Sequence, residues 1–268
     1  MIQPKISVVT VCYNAVNDIE KTILSVINQT YPNIEYLIID GGSNDGTMDI
    51  VNKYRDKIDV IVSEPDKGIY DAMNKGIDRA TGEWINFMNA GDYFYKKNCI
   101  NDIFNKSIDA NIAMVIGDSA LFLDGKYYQI KCKPFYERLP LHQEMGFTHQ
   151  SSFVRSNLAK HIKFNLKYKY AADYNMVIEL YRMGYDFYNT NNLIAFYNMD
   201  GVSFIHKLDH IKETYMIDNP TRKKINKFLS YKKYTIHLLK IYLKKILNSI
   251  NPALLNMYRG SNPEYILI

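Results

Sequence analysis

Asp40-Gly41-Gly42-Ser43-Asn44-Asp45-Gly46-Thr47 stands directly after an apolar run, and three other polar phrases in the first 92 residues stand in the same position. They are Thr10 to Asn14, Glu64 to Gly68 and Asn89 to Asp92. Open α/β folds bind ligands beyond the carboxyl ends of their parallel strands. The sequence therefore predicts that the four phrases meet along one edge of a parallel sheet.

Apolar runs and helical patterns alternate along this part of the chain. Lys5 to Tyr13 and Glu35 to Asp40 are rich in β-branched residues, which is typical of strands covered on both faces. Between them, Asn17 followed by Glu20 predicts the capped start of a helix. The remaining predicted elements are strands over 60–63 and 84–88, a helix opened by Asp45-Gly46-Thr47, and a helix over 69–80. This order predicts a mainly parallel sheet with right-handed crossovers.

Beyond Asp92 the alternation breaks down. Asp124-Gly125 is a strong hairpin signal between two apolar runs, so we expect antiparallel additions to the main sheet. The predicted elements here are strands over 113–117, 120–123, 126–131 and 186–195 and a helix over 170–183. From Pro220 onward the pattern is helical. We therefore predict an α/β domain over 1–210 and a basic helical extension over 211–268.

Composition fits a globular protein, with 47% hydrophobic and 23% charged residues among 268. Three widely spaced cysteines, Cys12, Cys99 and Cys132, fit neither a disulfide framework nor a zinc cluster, which favours a reducing cytosol. The first residues do not resemble a signal peptide, and no apolar run is long enough to cross a membrane. We expect a cytoplasmic protein.

The net charge of +5 is unevenly distributed. Residues 219–263 contain ten Lys or Arg and no acid, while the rest of the chain has 23 basic and 28 acidic residues, a net charge of −5. Such asymmetry indicates a segment that meets an anionic surface, and its interrupted apolar face suits a bilayer. A solvated helix face, or a helix packed on the domain, would give the same pattern. The acidic remainder argues against nucleic acid as a partner.

The phrase from Asp40 to Thr47 suits nucleotide binding. It offers an acid directly after a strand and glycines where side chains would obstruct a ligand. The alternative is a tight turn in which Ser43 or Asp45 caps the next helix. Neither a glycine-rich dinucleotide fingerprint nor a P-loop lysine motif is present, which argues against dehydrogenases and P-loop phosphotransferases.

Asp92 follows the fourth predicted strand. A carboxylate there can bind Mn²⁺ or Mg²⁺ that also takes diphosphate oxygens, and the cation neutralises charge on a departing diphosphate. Asn89 could bond a ribose hydroxyl. The alternative is a polar turn after a strand.

In their order, these phrases resemble the family 2 glycosyltransferases of the GT-A fold, particularly bacterial members that build surface polysaccharides. The resemblance spans about residues 5 to 205. It includes Ser7 to Asn14 as the opening strand, Ser25 to Tyr31 as the first-helix ending, and Glu64 to Gly76 as the most distinctive phrase. It implies donor contacts from a set of residues at the sheet edge: Thr10, Tyr13, Asn14, Asp40, Gly42, Asp66, Lys67, Gly68, Asp71, Asn89, Ala90 and Gly91.

Two departures from the family pattern stand out. Many relatives carry a second acid where this chain has Gly41, and the acidic metal motif is reduced to Asn89-Ala90-Gly91-Asp92, with one carboxylate. The resemblance therefore implies a metal held mainly by Asp92.

Phrases of the second half resemble the acceptor side of the family. Gly146 to Phe153 implies that His149 and Gln150 line the sugar pocket, although a lone histidine is often structural.

Ala171 to Met176 resembles the segment with the catalytic base, and an inverting transfer needs one carboxylate near the acceptor hydroxyl. Asp173 is the predicted base, with a helix cap as its alternative. Gly201 to Ser203 resembles a loop that closes over the donor, and His206 could reach the phosphates or metal.

The sequence thus predicts an inverting transferase that moves a sugar from a nucleotide diphosphate, such as a UDP-sugar, to a lipid-linked (polyprenyl-diphosphate) glycan. It would act at the inner face of the cytoplasmic membrane. Two alternatives are a sugar nucleotidyltransferase, and a degenerate transferase fold that binds nucleotide sugars without turnover.

Overall fold

The computed structural model describes residues 3–123, 126–132, 146–198, 206–218 and 265–267. Within them, ten strands form one sheet. The strands are β1 (Ile6–Cys12), β2 (Ile34–Asp40), β3 (Val60–Ser63), β4 (Trp84–Phe87), β5 (Tyr93–Phe94), β6 (Ile112–Leu123), β7 (Lys126–Ile130), β8 (Ser152–Arg155), β9 (Asp186–Phe196) and β10 (Tyr265–Leu267). The helices are α1 (Ile19–Ile27), α2 (Thr47–Lys53), α3 (Ile69–Arg79), α4 (Cys99–Phe104), α5 (Ser156–Ile162), α6 (Ala172–Arg182) and α7 (Lys207–Asp218).

The predicted parallel half is confirmed. Strands β3, β2, β1 and β4 lie side by side and are parallel, with Val9 of β1 between Leu37 and Phe87 of its neighbours. Every residue of β1 is buried, because alternate side chains enter two separate cores. Helices α3, α5 and α6 cover one face, and α1, α2 and α4 cover the other. Parallel pairing brings the ends of these strands to one edge, as predicted.

The second half adds mostly antiparallel strands. β8 pairs with β4 and β6, β7 pairs with β6, and β10 pairs with β7, all antiparallel. β9 is the exception because it runs parallel to β6. The predicted hairpin turn at 124–125 lies outside the described residues, but β6 and β7 pair up to Leu123 and Lys126 on either side of it.

Two local predictions were wrong. α1 begins at Ile19 after Asp18 rather than at a cap on Asn17. The N–H of Ile19, which a cap at Asn17 would bond, donates to the carbonyl of Ala15 instead. The two strands predicted over 113–117 and 120–123 are one strand, β6. It continues through Gly117, where its register with β9 shifts and where a side chain would collide with the carbonyl of Asn192.

The predicted boundary at residues 210 and 211 falls inside α7, which packs against α6. The basic segment over 219–263 and the loop over 201–203 lie outside the described residues. No helix in the described part of the chain is long and apolar enough to span a membrane. All three cysteines are buried, and neither Cys12 nor Cys99 forms a disulfide.

At the edge of the sheet opposite the polar phrases, the Glu35 carboxylate accepts hydrogen bonds from Ser7, Lys5 and Thr81. Burial alone would raise the pKa of Glu35, but these bonds outweigh it and lower the pKa from 4.5 to about 2. A folded-state pKa below the unfolded value stabilises the fold above the unfolded pKa, here by roughly 3 kcal/mol at neutral pH.

We expect Glu35→Gln to lower the free energy of unfolding at pH 7, and we expect this deficit to shrink as the pH falls from 5 toward 2. Urea unfolding of both proteins across that range measures it. A deficit that stays constant with pH would show that packing, rather than ionisation, explains the loss.

Candidate active site

The first two strand-end loops form one unit. Asn14, in a left-handed conformation with φ of 48°, donates its backbone N–H to Ser43 Oγ over 2.7 Å and accepts from the N–H of Asn44 over 3.1 Å. The Asp45 carboxylate accepts from the N–H of Val16 over 3.1 Å. Asn14 is thus fixed by the loop that the sequence predicted it would meet.

Asp40 anchors this unit from inside the protein. Its buried carboxylate accepts from the N–H groups of Gly42 and Ser43 over 3.1 and 3.0 Å, and from the hydroxyls of Ser43 and Ser63. Burial alone would raise the pKa of Asp40, but these bonds hold it below its ordinary value. Thr10 is also buried and shares a 3.1 Å hydrogen bond with Tyr36. Both side chains are therefore buried beneath the loops at the ends of the parallel strands.

Gly41 leaves space for two side chains that do reach the surface. A side chain at position 41 would collide with Asp66 Oδ2 and would lie 3.3 Å from the Tyr13 ring. Tyr13 is 65% exposed. The Asp66 carboxylate therefore occupies the space that a side chain at position 41 would fill, and the exposed Tyr13 ring lies beside it.

The loop before α3 is ordered by its own acids. Asp66 accepts from the N–H of Gly68 over 2.7 Å, and Asp71 accepts from the N–H of Lys67 over 3.0 Å. Gly68 has a φ of 118°, which a larger residue adopts only with strain. The Lys67 side chain stays exposed at this edge.

The turn from Asn89 to Asp92 is fastened to α1. Thr22 Oγ1 donates to the carbonyl of Asp92 over 2.7 Å and accepts from the N–H of Gly91 over 3.0 Å. The N–H of Ala90 donates to the carbonyl of Val11, which extends the pairing of β1 and β4 beyond the end of β4. The positive φ of Gly91, 96°, lets the chain reverse here.

The Asp92 carboxylate is almost fully buried. Its oxygens accept from Gln150 Nε2 over 2.7 Å and from the N–H of Asn198 over 2.9 Å. Burial raises the pKa of Asp92 to about 6, although His149 and both hydrogen bonds oppose the shift. A nearby cation would favour the ionised form.

Asp173 lies in the first turn of α6 and faces His149. Its Oδ1 accepts from the hydroxyl of Tyr70 and from the N–H of Tyr174, each over 2.9 Å, and its Oδ2 lies 3.5 Å from His149 Nδ1. Burial alone would raise the pKa of Asp173, but His149, His210 and the N–H of Tyr174 together outweigh it and hold the pKa below its ordinary value. The carboxylate is therefore ionised at neutral pH.

A chain of contacts connects the two predicted halves of the site. His149 Nε2 lies 3.0 Å from Asn89 Nδ2, and His149 Nδ1 lies 3.5 Å from Asp173 Oδ2. Gln150, the next residue, holds Asp92. The predicted base and the predicted metal ligand are thus joined through adjacent residues of one 3₁₀ turn, His149–Ser151.

A carboxylate of α7 binds the backbone directly before α6. Glu213 accepts from the N–H groups of Lys169, Tyr170 and Ala171 over 3.0, 2.8 and 3.0 Å. The His206 ring stacks on Tyr170 with centroids 4.8 Å apart. His206 is therefore placed beside the base-bearing helix, and its role toward the metal stays a prediction.

Sequence reasoning missed Tyr70, Thr22 and Glu213. Tyr70 had a detectable signal, because Tyr70, Met73 and Ile77 share one apolar face of α3 and a buried hydroxyl needs a partner. Thr22 and Glu213 had none, since each acts on backbone groups far away in the sequence.

The donor atoms at the Asn89–Asp92 turn fit a hard cation. Asn89 Oδ1 is buried without a hydrogen-bond partner among the described residues. Each carboxylate oxygen of Asp92 accepts one hydrogen bond within this part of the chain and retains a lone pair. No group of three or more His, Cys, Asp or Glu that could hold a metal occurs in the described part of the chain. A cation here would need substrate oxygens to complete its coordination.

Comparison with known proteins assigns the family. The family model described as Glycosyl transferase family 2 matches residues 7–167, more than half of the chain. The chain belongs to glycosyl transferase family 2. It is a glycosyltransferase, and the match contains all four polar phrases and His149.

Curated relatives of this family 2 glycosyltransferase come from bacteria. A PGL/p-HBAD biosynthesis glycosyltransferase of Mycobacterium bovis (strain BCG / Pasteur 1173P2) is 29% identical over 190 residues, covering 68% of this chain and 71% of the relative. TuaG of Bacillus subtilis (strain 168), named for teichuronic acid biosynthesis, is 38% identical over 97 residues, covering 35% and 38%.

Solved structures confirm the predicted GT-A fold. The mannosyltransferase PcManGT of Pyrobaculum calidifontis, in complex with GDP-Man and Mn²⁺, superposes with a TM-score of 0.66 at 17% identity, covering 97% of this chain and 80% of that one. TarS residues 1–349 of S. aureus, in complex with UDP, gives a TM-score of 0.58 at 19% identity, covering 86% and 70%.

Proposed function

We propose that this glycosyltransferase transfers one sugar, with inversion, from a UDP-sugar to a lipid-linked glycan during the synthesis of a bacterial surface polysaccharide. The observation that carries the proposal is the connected set of Asp173, His149, Asn89, Gln150 and Asp92. It supplies a base on one side and a diphosphate-binding turn on the other. The names of the mycobacterial and Bacillus relatives support the biosynthetic setting.

The donor lies along the loops at the parallel edge. Tyr13 offers an exposed ring on which a base can stack, and Asp66 offers a carboxylate beside it. A cation held by Asp92 and Asn89 Oδ1 would neutralise the charge that develops on the leaving diphosphate. Complexes of TarS with UDP-GlcNAc and of PcManGT with GDP-Man support a nucleotide sugar as the donor class.

Asp173 acts as the base in a single displacement. The ionised Oδ2 takes the proton of the acceptor hydroxyl while that oxygen bonds to the anomeric carbon and the bond from this carbon to the diphosphate breaks. His149, held between Asn89 and Asp173, presents its partly exposed edge to the acceptor sugar. Gln150 is committed to Asp92, so its contribution is to fix that carboxylate.

One assay series tests the function. UDP-sugars and GDP-mannose are supplied with Mn²⁺ and a polyprenyl-diphosphate-linked saccharide, and the product is analysed by mass spectrometry and by NMR for anomeric configuration. An extended glycan with inverted configuration supports the proposal. Pyrophosphate formed from a nucleoside triphosphate and a sugar phosphate would indicate a nucleotidyltransferase, and tight UDP binding without turnover would indicate a binding protein.

We propose that residues 219–263 hold the enzyme at the inner face of the cytoplasmic membrane. Each Lys or Arg near an anionic surface contributes about 1 kcal/mol. Glutamine at the lysines between 223 and 245 is therefore expected to abolish sedimentation with phosphatidylglycerol vesicles. This variant keeps β10, whose loss in a C-terminal deletion would disturb β7. Undiminished sedimentation would contradict the membrane role.

A further inference from the structure

Tyr70 reaches the proposed base from the donor side of the site. It lies in the first turn of α3, directly after the loop that contains Asp66 and Gly68. Its side chain is buried, and its hydroxyl donates to Asp173 Oδ1 over 2.9 Å across a separation of 103 residues. The donor loop and the base are therefore connected by one helix turn and one hydrogen bond.

This bond selects one oxygen of the carboxylate. Asp173 Oδ1 accepts from both Tyr70 and the N–H of Tyr174, which engages both of its lone pairs. Oδ2 faces only His149 among these partners, at the longer distance of 3.5 Å. The oxygen left able to accept a proton is Oδ2, on the side of the predicted acceptor phrase.

The tyrosine ring is itself fixed. It packs on Phe164 with centroids 5.3 Å apart, and Phe164 packs edge-on against Phe87 at 5.2 Å. Asn74 lies one turn further along α3. Its side-chain amide donates to the carbonyl of Phe164 over 2.9 Å and accepts from the N–H of Phe164 over 2.8 Å. The hydroxyl therefore has a defined position, set by α3.

We propose that Tyr70 is a positioning residue that orients Asp173 for proton transfer and ties its placement to the donor-binding loop. The inference rests on the proposed function of Asp173 as base. Burial and the adjacent Asp173 raise the pKa of Tyr70 well above its ordinary value, so the phenol keeps its proton and remains a donor.

The pH profile separates this role from mere packing. Asp173 accepts a hydrogen bond from Tyr70 of α3. Its pKa is lowered by His149 of the 3₁₀ turn and by His210 of α7. Glu213 of α7 raises the pKa of Tyr70. Loss of one donor to a carboxylate raises its pKa. The acidic limb of the kcat profile should therefore move to higher pH when the hydroxyl is removed.

The test compares Tyr70→Phe with Tyr54→Phe. Tyr54 is the matched control because its hydroxyl also donates to a carboxylate, Glu20, over 2.7 Å, but does so between α2 and α1. For Tyr70→Phe we expect kcat to fall roughly 10- to 100-fold, with the acidic limb at higher pH, UDP affinity unchanged and cooperative unfolding retained. Tyr54→Phe should keep the wild-type kcat and profile.

Other outcomes are decisive as well. Unchanged kcat and pH limb in Tyr70→Phe, beside an active wild type, would overturn the role of Tyr70. Loss of UDP binding and of cooperative unfolding together with the rate would overturn it too, by showing a structural role. Absence of transfer by the wild type would instead contradict the proposed function, so the two failures are distinguishable.

Discussion

Asp173→Asn is expected to lower kcat by about 10²- to 10⁴-fold, the usual contribution of a general base. Asparagine has nearly the same shape and can still accept from Tyr70 and from the N–H of Tyr174, but it cannot take the acceptor proton. UDP affinity should therefore remain as in the wild type. Steady-state rates with a saturating donor, together with calorimetric UDP binding, measure both quantities.

The control for this variant is Asp218→Asn. Asp218 of α7 is also buried and accepts from a tyrosine hydroxyl, that of Tyr174, over 2.7 Å. It lies on the helix that packs against α6, so it reports on disturbance of the same region. An equal loss of rate in both variants would point to a shifted helix, and full activity in Asp173→Asn would exclude this residue as the base.

Asp92→Asn is expected to lower turnover by about 100-fold or more, because a metal ion that stabilises a leaving diphosphate contributes several kcal/mol. The amide keeps the size of the side chain but weakens its attraction for a cation. Stimulation of the rate by Mn²⁺ should fall, and so should the gain in UDP affinity that Mn²⁺ gives. Rates and UDP binding across a Mn²⁺ titration measure these effects.

Asp118→Asn is a close control for this change. Asp118 is buried in β6 and accepts from the amide of Gln129 over 2.6 Å, as Asp92 does from Gln150 over 2.7 Å. Asp118 also accepts from the N–H of Cys132 over 2.7 Å and pairs with Lys131 over 2.8 Å. Its substitution therefore costs at least as many local contacts, and only Asp92 lies at the strand-end turn. Unaltered Mn²⁺ dependence in Asp92→Asn would remove Asp92 as the metal ligand.

The βα order and the clustering of four polar phrases could be predicted because both depend on local patterns. A buried parallel strand is recognisable by its β-branched run, and strand ends meet at one edge whatever the details of packing. Local signals also located Asp173 and His149 through phrases that resemble the family.

Features that depend on distant partners could not be predicted. The course of the loop before α1 depends on Thr47 and Asp45 of another loop, which accept from the amides of Ala15 and Val16. The continuity of β6 through Gly117 depends on its pairing with β9. The carboxylate of Asp66 fills the space above Gly41 only because two loops converge.

Glu213 gives the enzyme a functional boundary different from the one that the family match suggests. The match ends at residue 167, yet the three amides at the start of the base-bearing helix are satisfied by a carboxylate far beyond that point. A protein shortened before α7 would retain every proposed reacting group and still lose the anchor of its base. We therefore expect the minimal transferase to extend at least through α7, because Glu213 of this helix holds the segment that leads into the helix of the proposed base.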